Sequence, residues 1–236
     1  MNALPSGWSA TRADLHRIAV HVMARRRAQL SGKIGLRAAP GGVATPAAGP
    51  EHEILRTSGS WLLRERTGSA ASTIALDLAG ATLADAAALA DVDLAAPLDV
   101  GHDTPAVGDP SAPLAVDPVA AAAIAGWFAV GWRALDDVAV SSVTPTVIQL
   151  WPEHFDAACD VAVRDGRANV GVSPGDGFHD EPYLYVGPWG PERPGDDAYW
   201  NAPFGAVLGH TELSTSPDPH QAAVDFYRRG VTLLSG

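Results

Sequence analysis

Two short segments of this 236-residue chain hold the side chains best suited to chemistry: Glu153, His154 and Asp156 in one, and Asp176, His179, Asp180 and Glu181 in the other. Two histidines with several carboxylates can hold a divalent metal such as zinc, manganese or iron, with His154, Asp156, His179 and Glu181 as ligands. The spacings His154-x-Asp156 and His179-x-Glu181 put both members of a pair on one face only where the chain is extended. The same groups suit metal-free acid–base catalysis by His154, His179, Asp176 and Glu153, with a carboxylate fixing the imidazole tautomer. A third reading needs no reaction: polar side chains of these types pin proline-containing loops through hydrogen bonds to backbone amides. Trp151, Tyr183, Tyr185 and Trp189 flank the two segments and suit the walls of a small-molecule pocket. Aromatic residues with one polar group serve an ordinary core equally well.

Strands must bring these segments together. Residues 157–163 and 167–173 are rich in β-formers, and Asp165 followed by Gly166 is a two-residue hairpin signal. Antiparallel pairing puts the start of 157–163 beside the end of 167–173. If 183–188 pairs next, its start falls at the same end, and 151–156 and 174–181 become neighbours on one rim. Further strands are expected at 34–37, 53–57, 60–67, 72–78, 146–151 and 204–213, with a hairpin at Gly59 and a loop over 40–50.

Helices frame the strands. Thr11 with Asp14 resembles a capping box, Leu15, Ile18, Ala19, Val22 and Met23 follow at helical spacing, and Gly32 ends the run. Thr82 caps a short helix over 83–90. Asp117-Pro118 and Asp218-Pro219 each open a longer one, the first burying Ile124, Trp127, Phe128, Trp132 and Leu135. The whole reads as an α+β protein with antiparallel sheet, as a sandwich or partial barrel, and about three main helices. Residues 95–116, with four prolines, are expected to link an N-terminal half, 1–94, to a C-terminal half, 117–236, that carries the site.

Several chemistries fall away. Gly171-Val172-Ser173-Pro174-Gly175 fits the G-x-S-x-G pattern of serine hydrolases, but the residue after the serine must donate its N–H to the oxyanion hole, and Pro174 has none. Ser173 is expected simply to end a strand. Cys159 is the only cysteine, so intrachain disulfides and thiolate-rich metal sites are excluded, and it reads as a small buried residue. No phosphate-binding glycine loop, dinucleotide fingerprint or H-E-x-x-H occurs.

Composition bounds the partners. Hydrophobic residues make up 47% of the chain, which is globular, and the net charge is −11. Seven of the basic residues lie in 1–37, including the run Arg25, Arg26 and Arg27, so the remaining body is strongly acidic and unsuited to nucleic acid. The longest uncharged apolar stretch, 118–132, is shorter than the about 20 residues that span a bilayer. With no basic-then-apolar opening, a cytoplasmic protein without membrane contact is expected.

The blocks Ile148-Gln-Leu-Trp-Pro-Glu-His-Phe-Asp156, Arg167-Ala-Asn-Val-Gly-Val-Ser-Pro-Gly-Asp176 and Glu181-Pro-Tyr-Leu-Tyr-Val-Gly-Pro-Trp189 resemble those of a family of unknown function from high-GC bacteria. The opening helix, Lys33-Ile-Gly-Leu-Arg37 and Pro40-Gly-Gly42 are similar to theirs too. A looser likeness, through the tryptophan–proline–x–histidine–phenylalanine–aspartate block, links the chain to another group of unknown function. The resemblance implies a shared fold and carries no activity. Two functions are therefore expected in parallel: a small-molecule enzyme or ligand binder with its site at the rim, or a non-catalytic, dimer-forming interaction protein in which these residues brace loops.

Overall fold

The helical spacing of Leu15, Ile18, Val22 and Met23 produces one continuous N-terminal helix: α1 (Trp8–Ile18), a π-helical segment (Ala19–Ala24) and α2 (Arg25–Ser31). The computed structural model describes residues 3–101 and 104–236, and the chain divides into two compact units. The N-terminal unit comprises Leu4–Gly126 and Leu150–Phe155; the C-terminal unit comprises Trp127–Gln149 and Asp156–Gly236 and takes in Ala3. The boundary falls inside a helix rather than in the proline-rich stretch.

That stretch is part of the N-terminal unit. The first helix starts at Trp8, before Thr11, so Thr11 and Asp14 do not cap it. They instead face β7 (Pro113–Ala115): the Thr11 hydroxyl donates to Ala115 O (3.2 Å) and accepts from Asp117 N–H (2.9 Å), and Asp14 Oδ2 accepts from Ala115 N–H (2.6 Å). Further along, Arg17 donates to Val107 O (2.6 Å), His21 Nε2 lies 2.8 Å from Pro105 O, and Arg25 donates to Ala96 O. Proline-rich backbone forms few bonds of its own, so its carbonyls need outside donors. The helix supplies them from side chains three or four residues apart, on one face. What reads as a linker is a strap. The helix ends as expected at Gly32, whose φ of +68° suits a left-handed cap.

The first sheet has the order β1 (Arg37–Ala39), β2 (Gly42–Ala44), β3 (Ile54–Ser58), β4 (Trp61–Arg66), β5 (Ser72–Asp77), all antiparallel. β2 lies within the expected loop, its Val43 and Ala44 buried. β6 (Ala79–Thr82) pairs with β7, and α3 (Leu83–Ala90) begins at a reciprocal Thr82–Asp85 capping box. Glu53, 4% exposed, is the electrostatic hub: Arg26 Nε, Arg64 Nη2 and Arg66 Nε lie 2.7, 2.8 and 2.9 Å from its carboxylate. Burial works against that charge, but the hydrogen bonds from Arg26, Arg64 and Arg66 outweigh it and hold the Glu53 pKa down to about 2.

In the C-terminal unit the alternating segments form β9 (Asp156–Val163), β10 (Gly166–Ser173), β11 (Tyr183–Pro188) and β12 (Ala206–Gly209), with β8 (Gln149–Trp151) at the edge where the chain changes unit. All pairings are antiparallel and the sheets are open, so the α+β class holds without a closed barrel. The hairpin register pairs Gly166 with Val163, so its turn is Arg164-Asp165, one residue earlier than expected. The segment expected as a strand over 204–213 is shorter, because His210–Thr215 forms α5. Cys159, Val161, Val170, Val172, Leu184 and Val186 bury one face under α4 (Pro118–Ser141) and α6 (Pro219–Ser235). Contact there is close: a Cβ added at Gly131 would lie 2.5 Å from Val172, and one at Gly230 3.0 Å from Val186. Both helices start at the expected aspartate caps, Asp117 accepting from Ala120 N–H and Asp218 from Gln221 N–H. Trp127 is buried in this core, whereas Trp132 is half-buried. Burial pushes the Cys159 thiol up to about 11, in keeping with an inert packing residue.

α4 continues beyond the apolar run through Arg133, Asp136 and Asp137, to 24 residues. By length and composition it could cross a bilayer, yet about half of its most apolar stretch is buried inside the protein, as in a core helix.

Removing the charge at the Glu53 hub strands buried arginines, so Glu53→Gln should cost about 3 kcal/mol of unfolding free energy at neutral pH. Because the folded pKa is depressed, the hub's stabilisation is complete above the ordinary value of 4.5 and fades as the pH falls towards 2. Urea titrations across that range should show a steep acid limb in the wild type and a flatter one in Glu53→Gln. Parallel limbs would show that Glu53 is not the titrating hub.

Candidate ligand-binding site

The register places one row of residues on the sheet face turned away from its helices: Ala158, Gly171, Tyr185 and Val207 stand side by side, as do Ser173, Tyr183 and Gly209. Asp156 begins β9 at the same end. The expected convergence of the start of β9, the end of β10 and the start of β11 is therefore present within the C-terminal unit.

Gly171 sets the geometry. A Cβ built there would come 2.3 Å from the Tyr185 ring, so only glycine lets that ring lie down on β10. So placed, the Tyr185 hydroxyl donates to Asp156 Oδ2 in a short hydrogen bond. Beside it, 6.2 Å away between ring centres, Tyr183 donates to Asp176 Oδ2 at 2.5 Å. Burial, reinforced by the neighbouring aspartates, pushes both phenols well above their ordinary value, so both remain protonated donors.

The loop after β10 positions the second aspartate. Ser173 Oγ accepts from Gly175 N–H (3.1 Å), so Ser173 ends the strand as the proline after it requires. Its carbonyl accepts from Trp127 Nε1 (2.7 Å). Asp176 Oδ1 then accepts from the N–H groups of Phe178 (2.9 Å) and His179 (3.1 Å), an Asx turn that fixes the carboxylate against Tyr183. Phe178 and Phe204, 48% and 36% exposed, stack edge to face at 5.0 Å and contact Tyr183 and Tyr185. An apolar wall thus stands beside two phenol–carboxylate pairs.

The other expected site residues distribute differently. Trp151, Glu153 and His154 belong to the N-terminal unit, and Asp156, Asp176, His179 and Glu181 to the C-terminal one. Among the described residues no group of three or more His, Cys, Asp or Glu side chains is placed to hold a metal ion. The His179 ring contacts Phe178 and Tyr183 and, among the described residues, hydrogen-bonds to no carboxylate. Glu181 accepts weakly from Thr211 (3.4 Å). Trp189 lies at the opposite end of β11, 64% exposed, donating to Asn169 Oδ1 (2.8 Å), and is not part of the wall. Trp151, 38% exposed, leads a tight turn closed by Phe155 N–H on Trp151 O (2.8 Å). In that turn Phe155 has a φ of +52°, rare for an aromatic residue, and stacks on His16 at 5.4 Å. The Glu153 carbonyl lies 3.0 Å from His16 Nε2, and burial pushes the His16 pKa down to about 4 against that bond.

Phe178, Phe204 and His210 were not singled out by spacing. His210 follows Gly209, the partner of Tyr183, and its ring packs 5.6 Å from Trp127 with Nε2 3.3 Å from Ser214 Oγ. The signal available was the end of β12, hidden by reading 204–213 as strand throughout.

Gly171→Ala should destabilise the protein by about 1–3 kcal/mol, since the Tyr185 ring has nowhere to move. Adding Tyr185→Leu should recover much of the loss in a double-mutant cycle measured by urea unfolding. Strict additivity would mean that the ring does not rest on Gly171. No family model, curated protein or solved structure matches this chain.

Proposed function

We propose that the C-terminal unit is a small-molecule binding module, with its site at the sheet end where Tyr183–Asp176 and Tyr185–Asp156 stand beside Phe178 and Phe204. One observation carries this reading: two protonated phenols hydrogen-bonded to carboxylates adjoin two aromatic rings left in contact with solvent. Carboxylate and phenol oxygens accept hydrogen bonds, and Phe178 and Phe204 offer flat apolar area. The matching ligand carries a donor group, such as an ammonium or hydroxyl, on an aromatic or apolar body. The role is binding: the residues that converge are donors and acceptors fixed by their own partners. A cytoplasmic setting fits the single buried cysteine.

A second reading rests on Asp176, whose carboxylate already accepts three hydrogen bonds from its own loop and Tyr183. On that reading the cluster braces the loop of an interaction protein. Ligand-observed NMR with a panel of aryl amines, led by benzylamine, separates the two. Saturable binding to the wild type, weakened at least tenfold by Phe204→Ala and by Tyr185→Phe, is expected. Absence of saturable binding, or binding indifferent to both substitutions, would reject the site and leave the bracing role.

A further inference from the structure

We infer that β5 is a self-association edge, through which two copies of this chain pair strand to strand. This surface belongs to the N-terminal unit and stands apart from the ligand-site reading.

Among the described residues β5 is the last strand of its sheet and pairs only with β4. Leu78 N–H donates to Ser60 O (2.8 Å), and the register continues Trp61↔Asp77, Leu62↔Leu76, Leu63↔Ala75, Arg64↔Ile74, Glu65↔Thr73. Hydrogen-bonded and non-bonded pairs alternate in an antiparallel ladder. Ser72, Ile74 and Leu76 therefore bond to β4, while Thr73, Ala75 and Asp77 turn their N–H and C=O groups to the open edge. Five of the six residues of β5 are exposed, and Ile74 is 49% exposed.

Natural sheets guard such edges with lysine, proline, a bulge or a very short strand. The opposite edge is guarded: β1 is three residues long, bears Arg37 and stops at Pro40. β5, Ser-Thr-Ile-Ala-Leu-Asp, has none of these devices and no register shift against β4.

Its own geometry selects the occupant. A two-fold axis at Ala75 pairs Ala75 with its counterpart and Thr73 with Asp77 in both directions, the three residues whose peptide groups point outward. Each such pair exchanges two hydrogen bonds, so about six form with none left over at the centre. The same register puts Ile74 of one copy opposite Leu76 of the other, on the face that already buries Leu62. The two Asp77 carboxylates fall at opposite ends, about 14 Å apart at the rise of an antiparallel strand and beyond the screening length in physiological salt. Each instead meets the Thr73 hydroxyl. A strand that is its own complement about a two-fold axis fits an isologous dimer.

Sedimentation equilibrium from low to high micromolar concentration tests this. The wild type should show a monomer–dimer equilibrium. Ala75→Pro removes an outward N–H without touching the ladder to β4, so dimer affinity should drop at least tenfold while the circular dichroism spectrum and thermal midpoint stay near wild type. Ile74→Lys provides a second variant with the same expected loss should proline disturb the strand. Hydrogen exchange at the Thr73, Ala75 and Asp77 amides should slow as concentration rises through the midpoint. A wild type that stays monomeric throughout, or a dimer unaffected by both substitutions, would overturn the inference.

Discussion

The N-terminal unit depends on a supply of hydrogen-bond donors. Its proline-rich strap offers carbonyls that no sheet or helix of its own can satisfy, and burying them unpaired would cost about 1–3 kcal/mol each. Thr11, Arg17, His21 and Arg25 meet that need from one side of a single helix, while Asp14 and the Thr11 hydroxyl accept the amides of Ala115 and Asp117 in return. The basic character of this segment follows from that demand, because arginine is the side chain best equipped to serve several carbonyls at once. Arg26, one position on, faces another way and joins Glu53. Arg25 and Arg26, adjacent in sequence, are thus divided between two structural duties.

The C-terminal unit solves a different problem with glycine. A sheet whose helices cover one face has a second face to dispose of, and here a glycine lets an aromatic ring lie across it. That placement brings a phenol to the carboxylate at the start of the neighbouring strand. The loop after Ser173 is held by its own turn and delivers a second carboxylate to the adjacent tyrosine. Position here is set by backbone geometry first and by charge second.

The parts of the fold that could be read from sequence were those governed by local rules. The caps at Thr82, Asp117 and Asp218, the stop at Gly32 and the strand at Tyr183–Pro188 all follow from residue types within a few positions. Hairpin arithmetic also located the end of the sheet where Asp156, Tyr183 and Asp176 gather. It could not choose partners within that group. Histidine and carboxylate attract each other on paper, whereas in the folded unit the aspartates bond to tyrosines, because strand register puts Tyr185 over Gly171 and the Asx turn aims Asp176 at Tyr183. Phe204 reaches the cluster from a loop with no periodicity. The unit boundary lies inside α4, where the helical pattern runs on without a break in composition. Thr11 and Asp14 misled for a related reason: the spacing of a cap is also the spacing of one helical face.

The π-helical segment at Ala19–Ala24 carries a consequence for how this sequence can change over time. A π turn is what a helix adopts when one residue is inserted without unwinding its ends, and all six of its residues are buried. It phases the two ends of the helix, with Thr11 and Asp14 on the strap at one end and Arg25 and Arg26 on the strap and the Glu53 hub at the other. Regular α geometry with the same number of residues would swing every downstream side chain by about 100°. The wide turn and the residue that it absorbs must therefore be gained or lost together.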